Sequence, residues 1–162
     1  MKKIIIVCIT FLLIFAGAGY YLNTNRIIHN GTSYTVVRPY DYPVVPGTEE
    51  WRSLQDHEKM IAVCQIPEDI LNEMSTLELA DTVANYPLLV DITAYPDREM
   101  GYSLVREHFN GLQELESRED AAEVLQAYRD SFDRNKLYVN NSEASRIVVE
   151  ECLEVIAEHL PE

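Results

Sequence analysis

The segment from Ile66 to Arg129 limits the fold of this chain more than any other, because signals for helix starts and ends follow one another almost without a gap. The clearest signal is the pair Ser75 and Glu78, whose spacing is that of a capping box. In a capping box the two side chains bond backbone amides at the helix start that otherwise lack partners. The pair therefore predicts a helix that begins at Thr76.

Further helix boundaries are predicted along the same segment. Asp97 has the side chain of an N-cap and precedes a helical pattern of apolar residues. Asn110 and Gly111 predict a left-handed C-terminal end to that helix, since these residue types adopt a positive φ most readily. Ser117 and Asp120 repeat the capping arrangement and predict the start of the next helix. This density of starts and ends is typical of a series of short helices.

The stretch Pro87–Tyr95 fits two structures, because nine apolar-rich residues suit a buried strand as well as a short helix. We favour the helix, since the sequence offers no second strand with which it would pair. A longer helix is predicted from Ser142 to Leu160, whose broad apolar face consists of Ala144, Ile147, Val148, Cys152, Val155, Ile156 and Leu160. For residues 48–162 the sequence therefore predicts an all-α domain, a compact array of short helices with a longer C-terminal helix.

Residues 1–22 have the features of a leader for export. Two lysines precede an uncharged apolar run, and Ala16 and Ala18 have the spacing of a signal-peptide cleavage site, which favours cleavage after Ala18. The alternative is an uncleaved anchor, because the 19 residues from Ile4 to Leu22 suffice to cross a hydrocarbon layer of about 30 Å. Both interpretations place the rest of the chain outside the cytoplasmic membrane, either secreted or tethered.

Residues 23–47 are predicted to form an extended linker, because their prolines interrupt any helical period. A short strand is expected at Tyr34–Val37 within it. Tyr40 and Tyr42 in the linker, with Trp51 just after it, form a candidate binding surface, since aromatic side chains are enriched at interfaces. The alternative is that these rings pack along the domain that follows them.

The charge of the chain limits its classes of partner. The chain contains 13 Lys and Arg and 27 Asp and Glu, and two of the lysines lie within the first 18 residues. The remainder therefore has 11 basic and 27 acidic residues, a net charge of −16. Such a body repels nucleic acids and anionic lipid headgroups, whose binding depends on Lys and Arg. We expect no nucleic-acid binding, and membrane contact only through the N-terminal segment.

No combination of residues points to a specific chemistry. His29, His57 and His108 lack a Glu, His or Cys three or four residues away, and neither a phosphate-binding loop nor a nucleophile elbow occurs. We therefore expect no metal, no cofactor and no catalytic residue. Three acids of the helical region, Asp91, Glu107 and Glu114, are the ones to inspect for a carboxylate pair. In an exported protein Cys64 and Cys152 either form a disulfide or remain small buried hydrophobes.

Several short motifs resemble those of a known group of proteins. They are PGTEEW from Pro46, CQIPEDIL from Cys64, MST from Met74, NYPLL from Asn85, and FNGLQEL from Phe109 followed by REDA from Arg118. In these motifs the region from Pro46 to Arg129 is similar to a family of uncharacterised proteins of Gram-positive bacteria that are exported or tethered to the membrane. The resemblance implies an extracytoplasmic location and brings no activity, cofactor or catalytic residue with it.

These features together lead to an expected function and one alternative. We expect an extracytoplasmic helical module that binds an unidentified protein or envelope component and has no catalytic activity. The alternative is a hydrolase of the cell envelope that uses paired carboxylates, which requires two acids facing each other across a cleft.

Overall fold

The computed structural model describes residues 26–29, 31–35, 39–130 and 143–161, and the chain divides into two units, Met1–Val37 and Arg38–Glu162. In the first unit β1 (Arg26–His29) and β2 (Thr32–Thr35) pair antiparallel, with Gly31 at a φ of 84° between them. The strand expected at Tyr34–Val37 overlaps β2 in its first two residues, and the rest of it lies outside the described residues. The predicted leader, residues 1–22, lies outside them as well.

The second unit is built from helices joined by short connections. Its elements are α1 (Glu49–Leu54), α2 (His57–Val63), α3 (Glu68–Glu73), α4 (Thr76–Ala84), a 3-10 helix η1 (Leu89–Thr93), α5 (Arg98–His108), α6 (Asn110–Ser117), α7 (Ala121–Asp130) and α8 (Glu143–His159). In the described residues of this unit every regular element is a helix, which confirms the all-α prediction there. None of the helices in the described ranges has the length and apolar composition that crossing a membrane requires.

Side-chain caps define several helix starts, which matters because helices this short are marginal without tertiary support. The Ser75 side chain accepts from the Glu78 amide, and the Glu78 carboxylate accepts from the Ser75 amide at 2.8 Å, which confirms the predicted capping box. Asp97 accepts from the Glu99 amide at 3.0 Å and begins α5 as predicted. Two further helices begin in this way: the Thr48 side chain accepts from the Trp51 amide at the start of α1, and the Asp56 side chain accepts from the Glu58 amide at the start of α2.

Two of the predicted boundaries are wrong. Asn110 and Gly111 begin α6 instead of ending α5, and α5 ends because Phe109 is extended, with φ −121° and ψ 110°. Gly111 is required for space and not for a positive φ, since a Cβ there would lie 2.4 Å from the Phe109 ring. Ser117 is the last residue of α6, and its hydroxyl donates to the Glu114 carbonyl at 2.7 Å, so it caps no helix start.

The core lies between two groups of helices. In one group α4 packs against α6 and α7, and in the other η1 packs against α5 and α8. The 3-10 helix η1 confirms the helical interpretation of Pro87–Tyr95 over the strand. The largest fully buried side chains come from both groups, and they include Leu79, Phe109, Leu112, Leu125, Leu153 and Ile156.

The predicted buried face of α8 is wrong at Ile147, which is 58% exposed. The buried side of the helix contains Val149, Cys152, Leu153, Val155, Ile156 and Leu160. Since an α-helix turns by about 100° per residue, Ile147 lies about 200° away from Val149 around the axis. It therefore points away from the core, while the side chain of Ala144 lies outside the described residues.

Candidate functional site

Tyr42, one of the three aromatic residues predicted to form a binding surface, belongs to the core. It is 6% exposed, and its hydroxyl donates a hydrogen bond to the Thr82 carbonyl at 3.1 Å. The Tyr40 amide donates to the Thr82 hydroxyl oxygen at 2.9 Å, so both tyrosines hold the segment before α1 against α4. The surface prediction therefore fails for Tyr42, whereas Tyr40 and Trp51 are half-buried and retain some contact with solvent.

A row of aromatic rings continues from this segment into the core. The rings of Tyr40 and Tyr42 meet edge to face with centroids 5.0 Å apart, and Tyr86 lies 6.2 Å beyond Tyr42. Tyr86 in turn stacks on Phe109 at 3.8 Å. Burial raises the pKa of both Tyr42 and Tyr86, so their hydroxyls stay protonated at neutral pH. The end of the predicted linker, residues 39–47, thus belongs to the compact helical unit.

Cys64 and Cys152 are both free and buried, so the disulfide that the sequence allowed is not formed. They occupy different places: Cys64 ends α2 near Tyr86, whereas the Cys152 thiol in α8 donates to the Leu89 carbonyl at 3.4 Å. Burial raises the pKa of the Cys64 thiol to about 11 and that of Cys152 to about 12. Buried thiols of this kind are inert, so neither is a candidate nucleophile.

The structure gives two of the three inspected acids a basic partner. Asp91 in η1 lies 2.9 Å from His57 Nε2, and Glu114 in α6 lies 2.6 Å from Arg118 Nε. Glu107 is exposed on α5. These are the settings of surface ion pairs and of a solvated acid. In the part of the chain that the structure describes, no three His, Cys, Asp or Glu side chains are placed to hold a metal ion.

The candidate site is a groove of about 510 Å³ between α7 and α8. Each wall is one helix face, because its residues lie three and four positions apart. The wall from α7 consists of Gln126, Arg129 and Asp130, and the wall from α8 consists of Ile147, Glu150, Glu151 and Glu154. Leu153 of α8 and Arg98 at the start of α5 complete the lining, and Leu153 supplies a buried apolar surface.

Acidic side chains outnumber basic ones in this groove, which contains four carboxylates and two guanidinium groups. One guanidinium group, that of Arg98, forms an ion pair with Glu151. Gln126 donates to the Asp130 carboxylate at 2.8 Å. The exposed side chain of Ile147 adds an apolar contact beside the acids. The groove therefore suits a ligand that combines positive charge with an apolar group.

The groove is not apparent from the sequence, although part of its pattern is present there. Ile147, Glu150, Glu151 and Glu154 follow one another at i, i+3, i+4 and i+7, and so form a stripe along one face of α8. Because the helical pattern assigns Ile147 to the buried face, the four residues are not recognised as one exposed stripe. The pairing of α7 with α8, which creates the second wall, cannot be inferred from either helix alone.

No known protein family, curated protein or solved structure matches this chain. The assignment of a function therefore rests on the geometry and the charge of the groove.

Proposed function

We propose that this protein is an extracytoplasmic binding module whose helical unit holds a basic, partly apolar polypeptide segment in the groove between α7 and α8. The observation that carries the proposal is the combination, in one groove, of a row of acids with the exposed side chain of Ile147. The acids attract Lys and Arg side chains, and contact with the isoleucine removes apolar surface from water.

The shape of the groove supports a polypeptide segment as its ligand. Its volume of about 510 Å³ lies within the range of about 300–1,000 Å³ that is usual for small-molecule sites, so it has room for a few side chains of a partner and not for a whole domain. Two helices supply its long walls, so a segment that lies along them contacts both the acids and the exposed apolar side chain of Ile147. A small cation would match the charge of this surface but not its apolar part.

The charge of the whole chain also favours a basic partner. Beyond residue 18 the net charge is −16, and a field of that sign raises the association rate of a positively charged protein. The effect weakens with added salt, because exposed charges are screened beyond about 8 Å at physiological ionic strength. The same field opposes nucleic acids and anionic lipid surfaces.

The extracytoplasmic location is supported by the leader pattern of residues 1–22 and by the resemblance to exported or membrane-tethered proteins of Gram-positive bacteria. A module of this kind would meet its partner in the cell envelope, either free or held by the apolar segment Ile4–Leu22 as an anchor.

A cell-envelope hydrolase is less well supported. Such an enzyme requires two acids directed at the same bond of the substrate. In the groove, however, Glu151 forms an ion pair with Arg98, and outside it Asp91 is bonded to His57. These acids are engaged with basic side chains of the protein itself.

Site-specific photo-crosslinking tests the binding proposal. A benzophenone amino acid replaces Ile147 in the full chain, which is expressed in its native cells and irradiated. We expect a covalent adduct that mass spectrometry assigns to a polypeptide segment with Lys or Arg beside an apolar residue. The matched control places the same probe at Met100, which is 52% exposed on α5 and does not line the groove. The control position should not give this adduct.

Charge reversal distinguishes specific binding in the groove from nonspecific binding elsewhere on the protein. Glu154→Lys places a positive charge in the groove and should reduce the adduct strongly, whereas Glu107→Lys changes an exposed acid elsewhere and should leave it unchanged. An adduct of equal yield from both probe positions contradicts the proposal. So does an adduct with residues 131–142 of the same chain, which would mean that the protein covers its own groove.

A further inference from the structure

His159, in the last turn of α8, has an acceptor at each of its ring nitrogens. Nδ1 lies 2.8 Å from the Val155 carbonyl oxygen, and Nε2 lies 2.8 Å from a carboxylate oxygen of Glu99 on α5. The ring also stacks on Tyr102 of α5, with centroids 3.8 Å apart. Because these two oxygens only accept, both nitrogens must carry a hydrogen to make both bonds. The arrangement is therefore complete only in the imidazolium form.

The groups that face this imidazolium ring are acidic or neutral. They are Glu99 and Tyr102 on α5 and Glu158 on α8 itself. The Tyr102 hydroxyl donates to Glu116 of α6, whose second oxygen accepts from Arg106 Nε at 2.6 Å. The charge of Arg106 is thus compensated by Glu116, and the surroundings of the ring favour a positive charge.

The charged residues of the other two elements that pack against α8, η1 and α7, do not face the His159 ring. On η1 the titratable residue is Asp91, which is bonded to His57. On α7 the charged residues that meet α8, Arg129 and Asp130, lie in the groove, whose residues from α8 end at Glu154.

Partial burial lowers the pKa of His159, but two hydrogen bonds and two nearby charges more than offset it. The bonds with Val155 and Glu99 and the charges of Glu99 and Glu158 raise the pKa above the ordinary value of 6.5. A pKa that is higher in the folded chain means that the imidazolium stabilises the fold. This stabilisation is fully present below about pH 6.5 and is lost as the pH rises through the folded-state pKa.

We propose that His159 is a pH-sensitive lock that fastens the C-terminal end of α8 to α5. In its protonated form the ring joins the two helices through Glu99. When it loses a proton, one nitrogen has no hydrogen, and the bond with Glu99 or that with Val155 is broken. The ion pair of Arg98 with Glu151 holds the middle of α8 to the start of α5, so release is confined to the last turns of α8. The lock is independent of the proposed ligand of the groove.

Two measurements on the full chain test the lock. Proton NMR of the imidazole signals between about pH 5 and pH 9 gives the titration midpoint of His159, which should lie above about 6.5. Hydrogen exchange, corrected for the intrinsic rate, gives the protection of the backbone amides of residues 155–160. That protection should fall by at least about threefold as the pH rises through the midpoint.

Three variants separate the lock from a merely structural contact. His159→Gln cannot titrate, so the protection of the helix end should no longer depend on pH. Glu99→Gln keeps an acceptor but removes the charge, and should lower the midpoint of His159. The matched control is His108→Gln, at an exposed residue of α5 whose ring has no hydrogen-bond partner in the described part of the chain, and it should behave as the wild type.

A midpoint at or below about 6.5 for His159 overturns the proposal. So does an equal pH dependence of protection in His159→Gln and in the wild type. If His159→Gln does not fold, Glu99→Gln decides, because that side chain is 66% exposed and its change disturbs no core contact. An unchanged midpoint of His159 in Glu99→Gln then rejects the lock.

Discussion

The side chain of Asn110 satisfies both backbone hydrogen-bonding groups of Ile66. Its Oδ1 accepts from the Ile66 amide at 3.0 Å, and its Nδ2 donates to the Ile66 carbonyl at 2.7 Å. Gln65 completes the contact, because its Oε1 accepts from the Asn110 amide at 3.2 Å and its Nε2 donates to the His108 carbonyl at 2.8 Å. These bonds join the connection before α3 to the junction of α5 and α6, where peptide groups lack helical partners.

Asn110→Ala should lower the free energy of unfolding by at least about 2 kcal/mol, because it leaves the amide and the carbonyl of Ile66 without partners and each such group costs about 1–3 kcal/mol. Urea unfolding followed by circular dichroism measures the loss. The control is Gln113→Ala at the same junction, where the side chain bonds the Arg106 carbonyl at an exposed site. The control should change stability by less than about 0.5 kcal/mol, and equal losses would contradict the role of Asn110.

Ser75 and Ser117 have the same spacing to an acid in the sequence, but only Ser75 caps a helix. Ser75→Ala should therefore cost about 1 kcal/mol of stability, the usual effect of removing an N-cap. Ser117→Ala should cost less than about 0.5 kcal/mol, since its hydroxyl makes an exposed bond within α6. Thermal and urea unfolding of the two variants side by side gives the comparison. A larger loss for Ser117→Ala than for Ser75→Ala would contradict this difference between the two serines.

Gly101→Ala should destabilise the protein by about 1–3 kcal/mol through overpacking. A Cβ at this position would lie 2.1 Å from the Ile92 carbonyl oxygen and 3.1 Å from that of Asp91, so α5 and η1 would have to separate. Helix propensity alone predicts the opposite sign, a gain of about 1 kcal/mol. Ser103→Ala, at an exposed position of the same helix, is the control and should not destabilise. A stabilising Gly101→Ala would contradict the close contact.

The thiols of Cys64 and Cys152 should be protected in the folded protein. Because burial raises their pKa values to about 11 and about 12, thiolate is scarce at neutral pH, and labelling with iodoacetamide should require unfolding. Peptide mapping by mass spectrometry after labelling in denaturant without reductant should find both residues alkylated. In native buffer the labelling rate should increase as the pH approaches these two pKa values. Two unlabelled cysteines in denaturant would instead indicate a disulfide.

Features that depend on neighbouring residues were predictable from the sequence. The capping box of Ser75 and Glu78 joins residues three positions apart, and Asp97 caps the amide of Glu99 two positions away. The helical nature of Leu89–Thr93 was predicted on a different ground, the lack of a second strand in the sequence with which it would pair. Such capping signals are informative because both partners are brought together by the local backbone, but the spacing alone is not sufficient, since Ser117 and Asp120 have it and form no capping box.

Features that depend on distant contacts were not predictable. Asn110 has the residue type of a left-handed helix end, but its side chain is directed to Ile66, which is 44 residues away. Tyr42 lies in a segment rich in proline, yet its hydroxyl reaches Thr82 of α4, 40 residues away. In both cases a long-range hydrogen bond outweighs the local preference, whose magnitude is about 1 kcal/mol or less per residue.

By itself the sequence determined that the region from Ile66 to Arg129 would form a series of short helices, that a longer helix would follow near the C-terminus, and that the chain would be strongly acidic, because helical periodicity and net charge depend only on residue types and their spacing. The tertiary structure alone decided which side chains from different helices lie together. It placed α7 beside α8, turned Ile147 out of the core and put His159 against Glu99, because these contacts arise from the packing of whole helix faces.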